Sequence, residues 1–290
     1  MSIKLTQTIS SFLNGNDNVA ARARHENFPV ATRLLPREER ANLMAIYGFA
    51  RMTDDIGDEA SGDRLALLDW LDDELDLAFR GEAIHPVFQH LTPTIESLNL
   101  SPEPFRSLIE ANRVDQRVTR YQTFDDLVGY CMLSAAPVGH LVLSVFHAST
   151  PERVALSDQI CIALQIVEHL QDVGEDARAG RIYLPLADLE QYGCAEEDLL
   201  ALSASGPLRE VVAFESERAR GLLMEGAPLA ATLPWRPRFA VEGFVAGGLA
   251  VVDALEAAKF DVLATHCGPT KRSLAAHLAK ALLPLPRRSA

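Results

Sequence analysis

The 290-residue chain carries 27 Lys plus Arg against 40 Asp plus Glu, a formal net charge of −13 at pH 7. An acidic protein has no basic excess for gripping a phosphate backbone, so we expect no nucleic acid partner. With 48% hydrophobic and 23% charged residues, the composition is globular and excludes disordered and fibrous classes.

The cysteines and the N-terminus bear on the cellular compartment. The cysteines lie about 30 or more residues apart, with no CxxC pair or zinc-like Cys/His cluster, at Cys131, Cys161, Cys194 and Cys267. The opening MSIKLTQTISSFLNGND lacks the apolar core and cleavage site of a secretory signal. We therefore expect a cytoplasmic protein without structural zinc or disulfides.

Apolar residues recur at helical spacing along most of the chain, as at Leu68, Leu71 and Leu75, whereas alternating strand-like runs are scarce. No repeat or linker marks a boundary, so the pattern predicts one all-α domain over residues 1–290, with residues 1–20 as a candidate disordered segment. The predicted helices are about 36–57, 62–80, 101–118, 123–147, 151–177, 207–230, 237–260 and 271–283.

Two acidic clusters stand out in these helices, one spanning Asp54, Asp55 and Asp58 and one spanning Asp172 and Asp176. Residues four apart on a helix lie about 40° from one another around the axis, so Asp54 and Asp58 share a face, and Asp172 and Asp176 do the same. Like charges at this spacing repel unless a cation binds. Because the donors are hard carboxylate oxygens, with no imidazole or thiolate expected nearby, the clusters favour Mg²⁺.

A Mg²⁺ site of this kind implies a substrate that carries a diphosphate. The hypothesis is that Mg²⁺ ions bridge the four aspartates to the diphosphate and neutralise it as a leaving group, so that the C–O bond ionises. The carbocation then needs an apolar cavity with aromatic faces or hydroxyl dipoles. The candidates, any one of which is more often plain core, are Phe28, Tyr47, Tyr121, Tyr130, Phe146 and Tyr183.

Three arginines flank the clusters. Arg51, one turn before Asp54, could pair with that carboxylate or bind diphosphate. We favour a diphosphate contact for Arg181 and interpret Arg178 as a surface residue.

The C-terminal stretch KRSLAAHLAKALLPLPRR is the only locally basic amphipathic segment of the chain. It permits contact with a membrane surface, but the pattern favours a last helix that docks its leucines on the core with a solvated basic face.

Four segments resemble the squalene and phytoene synthases, head-to-head prenyl transferases with the all-α isoprenoid synthase fold. They are ENFPVATRLLPREER, AIYGFARMTDDIGDE, RYQTFDDLVGYCMLSAAPVGHLVL and LQIVEHLQDVGEDARAGRIYLP, and they extend over most of the chain. Within the family, ENFPV and SAAPVG are most similar to the bacterial hopanoid branch, the hydroxysqualene synthases. The resemblance implies a single-domain helical bundle around a central apolar cavity.

The resemblance also implies roles for individual residues. Asp54, Asp58, Asp172 and Asp176 fall on the two Asp-rich motifs that bind Mg²⁺ and diphosphate, with Asp55 in the first motif. The position four before Asp172 is usually Asn, but here it is Glu168, which would be a metal ligand or an arginine partner. Arg51 matches a diphosphate-contacting arginine and Tyr130 a cavity tyrosine; the other expected substrate or diphosphate contacts are Asn27, Phe28, Tyr47, Gln165, Arg181 and Tyr183.

The implied reaction converts presqualene diphosphate and water to hydroxysqualene and diphosphate, without NADPH. An alternative is condensation of two farnesyl or geranylgeranyl diphosphates to presqualene diphosphate, dehydrosqualene or phytoene. A non-enzyme alternative is a helical interaction protein on the same fold. Since substrate and product are long hydrocarbons, we expect a cytoplasmic enzyme that is peripheral on the inner membrane face, with neighbouring squalene-pathway enzymes as candidate partners.

Overall fold

A computed structural model describes residues 35–265 and 267–281, so the predicted N-terminal segment 1–20, Asn27 and Phe28 lie outside the described residues. In the described part the only β-pairing is one isolated bridge, between Arg120 and Ile182. The all-α fold is therefore confirmed. The helices are α1 (Arg37–Asp58), α2 (Arg64–Phe79), α3 (Pro86–Leu98), α4 (Glu103–Asp115), α5 (Phe124–Ser134), α6 (Ala136–Val145), α7 (Pro151–Gln171), α8 (Val173–Arg178), α9 (Leu186–Gln191), a 3-10 helix (Glu196–Leu200), α10 (Gly206–Gly226), α11 (Leu229–Thr232), α12 (Trp235–Ala257) and α13 (Lys271–Ala281).

The chain divides into two compact units. Unit 1 holds the described residues up to Val118 together with Met132–Val154, and unit 2 holds Thr119–Cys131 and the described residues from Ala155 onward. The organisation of the chain as a single domain stays a prediction.

In unit 1, α1 packs against α2, α3, α4 and α6. Its Phe49 ring meets Phe88 of α3 and Phe105 of α4 edge-on, with centroids 5.7 and 5.1 Å away, and all three rings are fully buried. Each such burial contributes roughly 1.5–3 kcal/mol to stability. This core fixes α1, whose polar face carries the first acidic cluster.

In unit 2, α10 and α12 pack together and α13 packs on α12. Gly226 allows a close approach of α10 to α7, because a Cβ there would lie 2.5 Å from Ile160 Cγ1 and 2.7 Å from the carbonyl oxygen of Leu156. Gly248 of α12 has a similar role, since its Cβ would lie 2.9 Å from both Leu164 Cδ2 and Leu223 Cδ1.

Helix α3 was not predicted, because His85-Pro86 was interpreted as a break. The dipeptide instead starts the helix. His85 Nδ1 accepts the Val87 N–H at 3.3 Å, and Pro86 has no N–H to leave unpaired in the first turn.

Three predicted helices are each broken in the structure, and these boundaries were wrong. Residues 123–147 form α5 and α6 because Pro137, in the first turn of α6, cannot donate a backbone hydrogen bond. Residues 151–177 break at Asp172, where φ is −101° and ψ is 10°. Residues 207–230 break after Gly226, before Pro228 and the short α11.

One stretch of the described residues, Phe124–Val145, is long and apolar enough to cross a bilayer by length and composition alone. It comprises α5 and α6, which are interrupted at Ala135, and 44% of its apolar window is buried.

Candidate active site

The first acidic cluster lies in the last turns of α1, in unit 1. Because the helix is unbroken through Asp58, Asp54 and Asp58 share one face as predicted, and both are exposed. The intervening Ile56 and Gly57 are buried on the opposite side. The helix therefore presents this carboxylate pair to its surroundings from a rigid backbone.

Two side chains, one on α4 and one directly after its last residue, support this cluster. The Asn112 amide Nδ2 donates to Asp54 Oδ1 at 3.4 Å, and the Gln116 amide donates to the carbonyl oxygen of Gly57 at 3.1 Å. Gly57 makes the approach possible, because a Cβ there would lie 1.8 Å from Asn112 Oδ1. Neither amide was predicted to be part of the site. Their four-residue spacing on a predicted helix was the available signal.

Arg51 pairs with Asp55, four residues on, at 2.8 Å between Arg51 Nη2 and Asp55 Oδ1, and lies 3.7 Å from Glu59 Oε1. The Asp55 side chain is only 15% exposed. Arg51 thus has an ion pair with Asp55, a partner that the predicted alternatives, Asp54 and diphosphate, did not include. Tyr47, one turn earlier on α1, is half-buried.

The second acidic cluster lies in unit 2, where α7 passes into α8. Although Asp172 is not inside a continuous helix, the Asp172 N–H donates to the Glu168 carbonyl at 3.1 Å, and the Asp176 N–H donates to the Asp172 carbonyl at 2.8 Å. The one-turn spacing of Asp172 and Asp176 is therefore retained, and both are half-buried. Glu168 is exposed, and its role as metal ligand or arginine partner stays a prediction.

A buried aromatic cluster lies beside Asp176, formed by Tyr121, Tyr130, His169 and Tyr183. The Tyr183 ring stacks on His169 with centroids 3.8 Å apart and planes 10° apart, and on Tyr121 at 5.7 Å and 19°. Tyr130 lies 5.4 Å from Tyr121 and 5.6 Å from Tyr183. Three of the predicted aromatic candidates thus converge on one place.

Backbone pairing between two segments assembles this cluster. The Ile182 N–H donates to the Thr119 carbonyl, and the Leu186 N–H donates to the Tyr121 carbonyl, each at 2.9 Å. The Arg120 side chain also joins these segments to the 3-10 helix. It donates to the Gly180 carbonyl at 2.7 Å and to both carboxylate oxygens of Glu196. Such long-range pairing has no local sequence signal.

His169 was not among the predicted site residues, and the expectation of no imidazole near the second cluster was wrong. The Gln165 amide Nε2 lies 3.3 Å from His169 Nε2, and His169 Nδ1 lies 4.0 Å from Asp176 Oδ2. Burial, aided by the positive charge of Arg181, lowers the pKa of His169 to about 3. The imidazole is therefore neutral at pH 7, and its approach to Asp176 is not an ion pair.

The two arginines that follow the second cluster differ in exposure. Arg178 is exposed, as predicted, whereas Arg181 is half-buried and its backbone N–H donates to the Asp176 carbonyl at 2.9 Å. Because its charge acts on His169, the Arg181 guanidinium belongs to the surroundings of the aromatic cluster.

The donor chemistry of the two clusters suits Mg²⁺. Among residues 35–265 and 267–281, no group of three or more His, Cys, Asp and Glu side chains could hold a metal ion by itself. Mg²⁺ takes one or two carboxylates and completes its octahedron with water and phosphate oxygens, so paired aspartates fit it without a closed protein cage. The residues that would hold it are Asp54 and Asp58 in unit 1, and Asp172 and Asp176 in unit 2.

A separate cavity of about 380 Å³ lies between α2 and α4 in unit 1 and contains none of the predicted site residues. Its acidic wall is largely paired, since Arg106 bonds Asp76 at 2.6 Å and Arg113 bonds Asp69 at 2.8 Å. We assign this cavity a structural role.

Comparison with known proteins places these features in a family. Residues 21–277 match the squalene/phytoene synthase family. The chain is 37% identical to a phytoene synthase from Arthrospira platensis over 67% of this chain and 68% of the relative. It is 38% identical to a hydroxysqualene synthase from Rhodopseudomonas palustris over 72% of each. The crystal structure of squalene synthase HpnC from Alicyclobacillus acidocaldarius superposes with a TM-score of 0.79 at 42% identity, over 89% of this chain and 99% of that one.

The fold is thus that of the all-α isoprenoid synthases, a class of prenyltransferase-type enzymes. Within this class, the chain belongs to the squalene/phytoene synthase family of isoprenoid biosynthesis.

Proposed function

We propose that the protein converts presqualene diphosphate and water to hydroxysqualene and diphosphate, in the hopanoid branch of squalene biosynthesis. The observation that carries this proposal is the 38% identity to the hydroxysqualene synthase from Rhodopseudomonas palustris over 72% of each chain. A second relative named hydroxysqualene synthase, at 36% identity, and squalene synthase HpnC, at 42% identity, support it.

The carboxylate pairs supply the first chemical requirement, which is to bind the leaving group. We propose that Asp54 with Asp58, and Asp172 with Asp176, provide ligands for Mg²⁺, which when bound neutralises the charge of the departing diphosphate. Asn112 orients Asp54 by its hydrogen bond. Arg51 and Arg181 are proposed to add cationic contacts to the diphosphate.

The aromatic cluster of unit 2 supplies the second requirement, which is to stabilise positive charge on the substrate. The rings of Tyr121, Tyr130 and Tyr183 are each at most 8% exposed, so their faces lie in a region from which water is largely excluded. A carbocation near aromatic faces in such surroundings is stabilised by the ring quadrupoles. We propose that Tyr130 and Tyr183 face the hydrocarbon substrate and that water adds to the cation without a nicotinamide cofactor.

A condensing activity is the second candidate function, because the Arthrospira platensis phytoene synthase is 37% identical, close to the value for the hydroxysqualene synthases. Product analysis separates the two. Purified protein with Mg²⁺, without NADPH, is incubated with presqualene diphosphate and, separately, with farnesyl or geranylgeranyl diphosphate. Hydroxysqualene from presqualene diphosphate supports our proposal, whereas presqualene diphosphate, dehydrosqualene or phytoene from the prenyl diphosphates would replace it.

Asp176→Asn tests the role of the second cluster in the same assay. The amide keeps the shape of the side chain but removes one negative charge that we propose holds Mg²⁺, so we expect kcat to fall at least about 100-fold. The matched control is Glu175→Gln, an exposed carboxylate on the same helix, which should retain activity. Equal activity of both variants would contradict the proposed role of Asp176.

A binding experiment separates the enzyme from the non-catalytic interaction protein. Inorganic diphosphate with Mg²⁺ should raise the Tm of the wild-type protein, since a ligand that binds only the folded state stabilises it by RT ln(1 + [L]/Kd). Lack of stabilisation at millimolar diphosphate, together with lack of product, would favour the interaction protein.

We further propose that the enzyme works as a peripheral protein on the inner face of the membrane, because its proposed substrate and product are hydrocarbons. Lys271 and Arg272 at the start of α13 are exposed, while Leu274 and Leu278 are half-buried. Helix α13 packs on α12, where Asp253 accepts from Ser273 at 2.9 Å and lies 2.7 Å from His277 Nε2. The helix can thus offer its basic residues to anionic lipid while remaining docked.

A further inference from the structure

We infer that His169 is a positioning residue for the second acidic cluster: its imidazole fixes the ring of Tyr183 by stacking and presents an N–H to the carboxylate of Asp176. This inference rests on the proposed function, since it assigns His169 to the cluster that we propose binds Mg²⁺.

The contact with Gln165 determines the tautomer of the His169 imidazole. An amide nitrogen can only donate a hydrogen bond, so Gln165 Nε2, 3.3 Å away, requires His169 Nε2 to be the acceptor. The ring hydrogen is then on Nδ1. Gln165 and His169 are four residues apart on α7, so the helix itself holds the pair in register.

The imidazole of His169 stacks on the ring of Tyr183. His169 and Tyr183 lie 3.8 Å apart with planes 10° from parallel, and Tyr121 stacks on Tyr183 at 5.7 Å. The His169 side chain is 11% exposed and Tyr183 is 8% exposed. The Tyr183 ring, stacked on His169 and close to Tyr121 in a packed interior, cannot rotate without displacing these neighbours, so His169 limits the positions available to Tyr183.

The imidazole of His169 also approaches Asp176. His169 Nδ1, the atom that carries the hydrogen, lies 4.0 Å from Asp176 Oδ2. This separation is longer than a hydrogen bond, but a ring N–H dipole 4.0 Å from a carboxylate at low exposure still acts on the orientation of that carboxylate. Groups that orient metal-binding carboxylates in this way set metal affinity.

Two variants separate the functions of the imidazole. His169→Phe keeps a flat ring against Tyr183 but loses both nitrogens, and His169→Asn places an amide N–H near the position of Nδ1 but loses the ring. His90→Phe, at an exposed histidine of α3, is the matched control. The probe is inorganic diphosphate with increasing Mg²⁺, read as the rise in Tm, with KM and kcat measured alongside.

We expect His169→Phe to need about tenfold more Mg²⁺ for half of the stabilisation, with KM for presqualene diphosphate raised more than kcat is lowered. His169→Asn should retain more of the Mg²⁺ affinity and lose the near-ultraviolet circular dichroism of the stacked tyrosine. His90→Phe should match the wild type. The inference would be overturned if both His169 variants reach half of the stabilisation at a Mg²⁺ concentration within twofold of the wild-type value.

NMR of protein labelled with ¹⁵N-histidine gives a readout that needs no metal. We expect the His169 signal, identified by its disappearance in His169→Phe, to show the Nδ1–H tautomer and to shift in Gln165→Leu. An Nε2–H tautomer would overturn the inference even where Mg²⁺ and diphosphate bind. If Mg²⁺ does not stabilise the wild-type protein, the proposed Mg²⁺ site is rejected instead. The tautomer of His169 and the circular dichroism of the stacked tyrosine would then still test whether His169 holds Tyr183.

Discussion

Glu215, on α10, is a carboxyl group whose charge depends on its surroundings. It is 1% exposed, accepts from Arg218 Nη1 at 2.7 Å, and shares that guanidinium with Asp188. Burial, opposed by Arg218 and aided by Asp188, raises the pKa of Glu215 from 4.5 to about 8. The Arg218 guanidinium also lies over the Phe124 and Phe214 rings, at 4.4 and 4.2 Å from their centroids.

This shift predicts a stability that depends on pH. Because the folded pKa is above the unfolded one, the folded state binds more protons between pH 4.5 and about 8. The contribution of the protonated Glu215 to the free energy of unfolding is fully present below pH 4.5 and is lost as pH rises through about 8. The Gln side chain of Glu215→Gln stays neutral at every pH. In urea denaturation, the free energy of unfolding should therefore fall less between pH 5 and 8 for Glu215→Gln than for the wild type. The exposed Glu210→Gln on the same helix is the control, and parallel pH curves for wild type and Glu215→Gln would contradict the prediction.

At the scale of elements, the packing of α10 on α7 depends on Gly226. A Cβ there would overlap Ile160 and, more seriously, the backbone carbonyl of Leu156, which cannot rotate away. We expect Gly226→Ala to lower the free energy of unfolding by about 1–3 kcal/mol. Gly221→Ala on the same helix meets no atom within 4 Å and should stabilise by roughly 0.5–1 kcal/mol. Urea denaturation of both variants tests this, and equal stabilities would show that the helices separate at little cost.

Helix periodicity predicted most elements because an amphipathic helix repeats its apolar residues whatever it packs against. Periodicity failed to predict helix ends where a residue typical of turns begins a helix. His85-Pro86 has the composition of a turn, yet it starts α3, and the chain after Ser134 is apolar enough to continue a helix, yet Pro137 forces a new one. The break at Asp172 has no proline or glycine at that position to announce it.

At the scale of the whole molecule, the net charge of −13 opposes binding to an anionic membrane, so adsorption depends on a local basic surface. Lys271→Glu with Arg272→Glu should weaken binding to vesicles of phosphatidylcholine and phosphatidylglycerol by about tenfold or more, since each basic residue contributes about 1 kcal/mol. The control is Arg37→Glu with Arg40→Glu, which makes the same change of net charge at exposed positions of α1. Unchanged binding of the α13 variant in co-sedimentation, with unchanged Tm, would reject this membrane contact.

The sequence by itself determined the all-α class, the family and the positions of the four aspartates, because helical periodicity and motif spacing are local properties of the chain. It also placed Asp54 and Asp58 on one helical face correctly. The tertiary structure alone decided that Asn112 reaches Asp54 across Gly57, and that His169 stacks on Tyr183. These contacts join residues whose neighbours in space depend on how helices pack and on backbone pairing between distant segments, and neither is written in a local pattern.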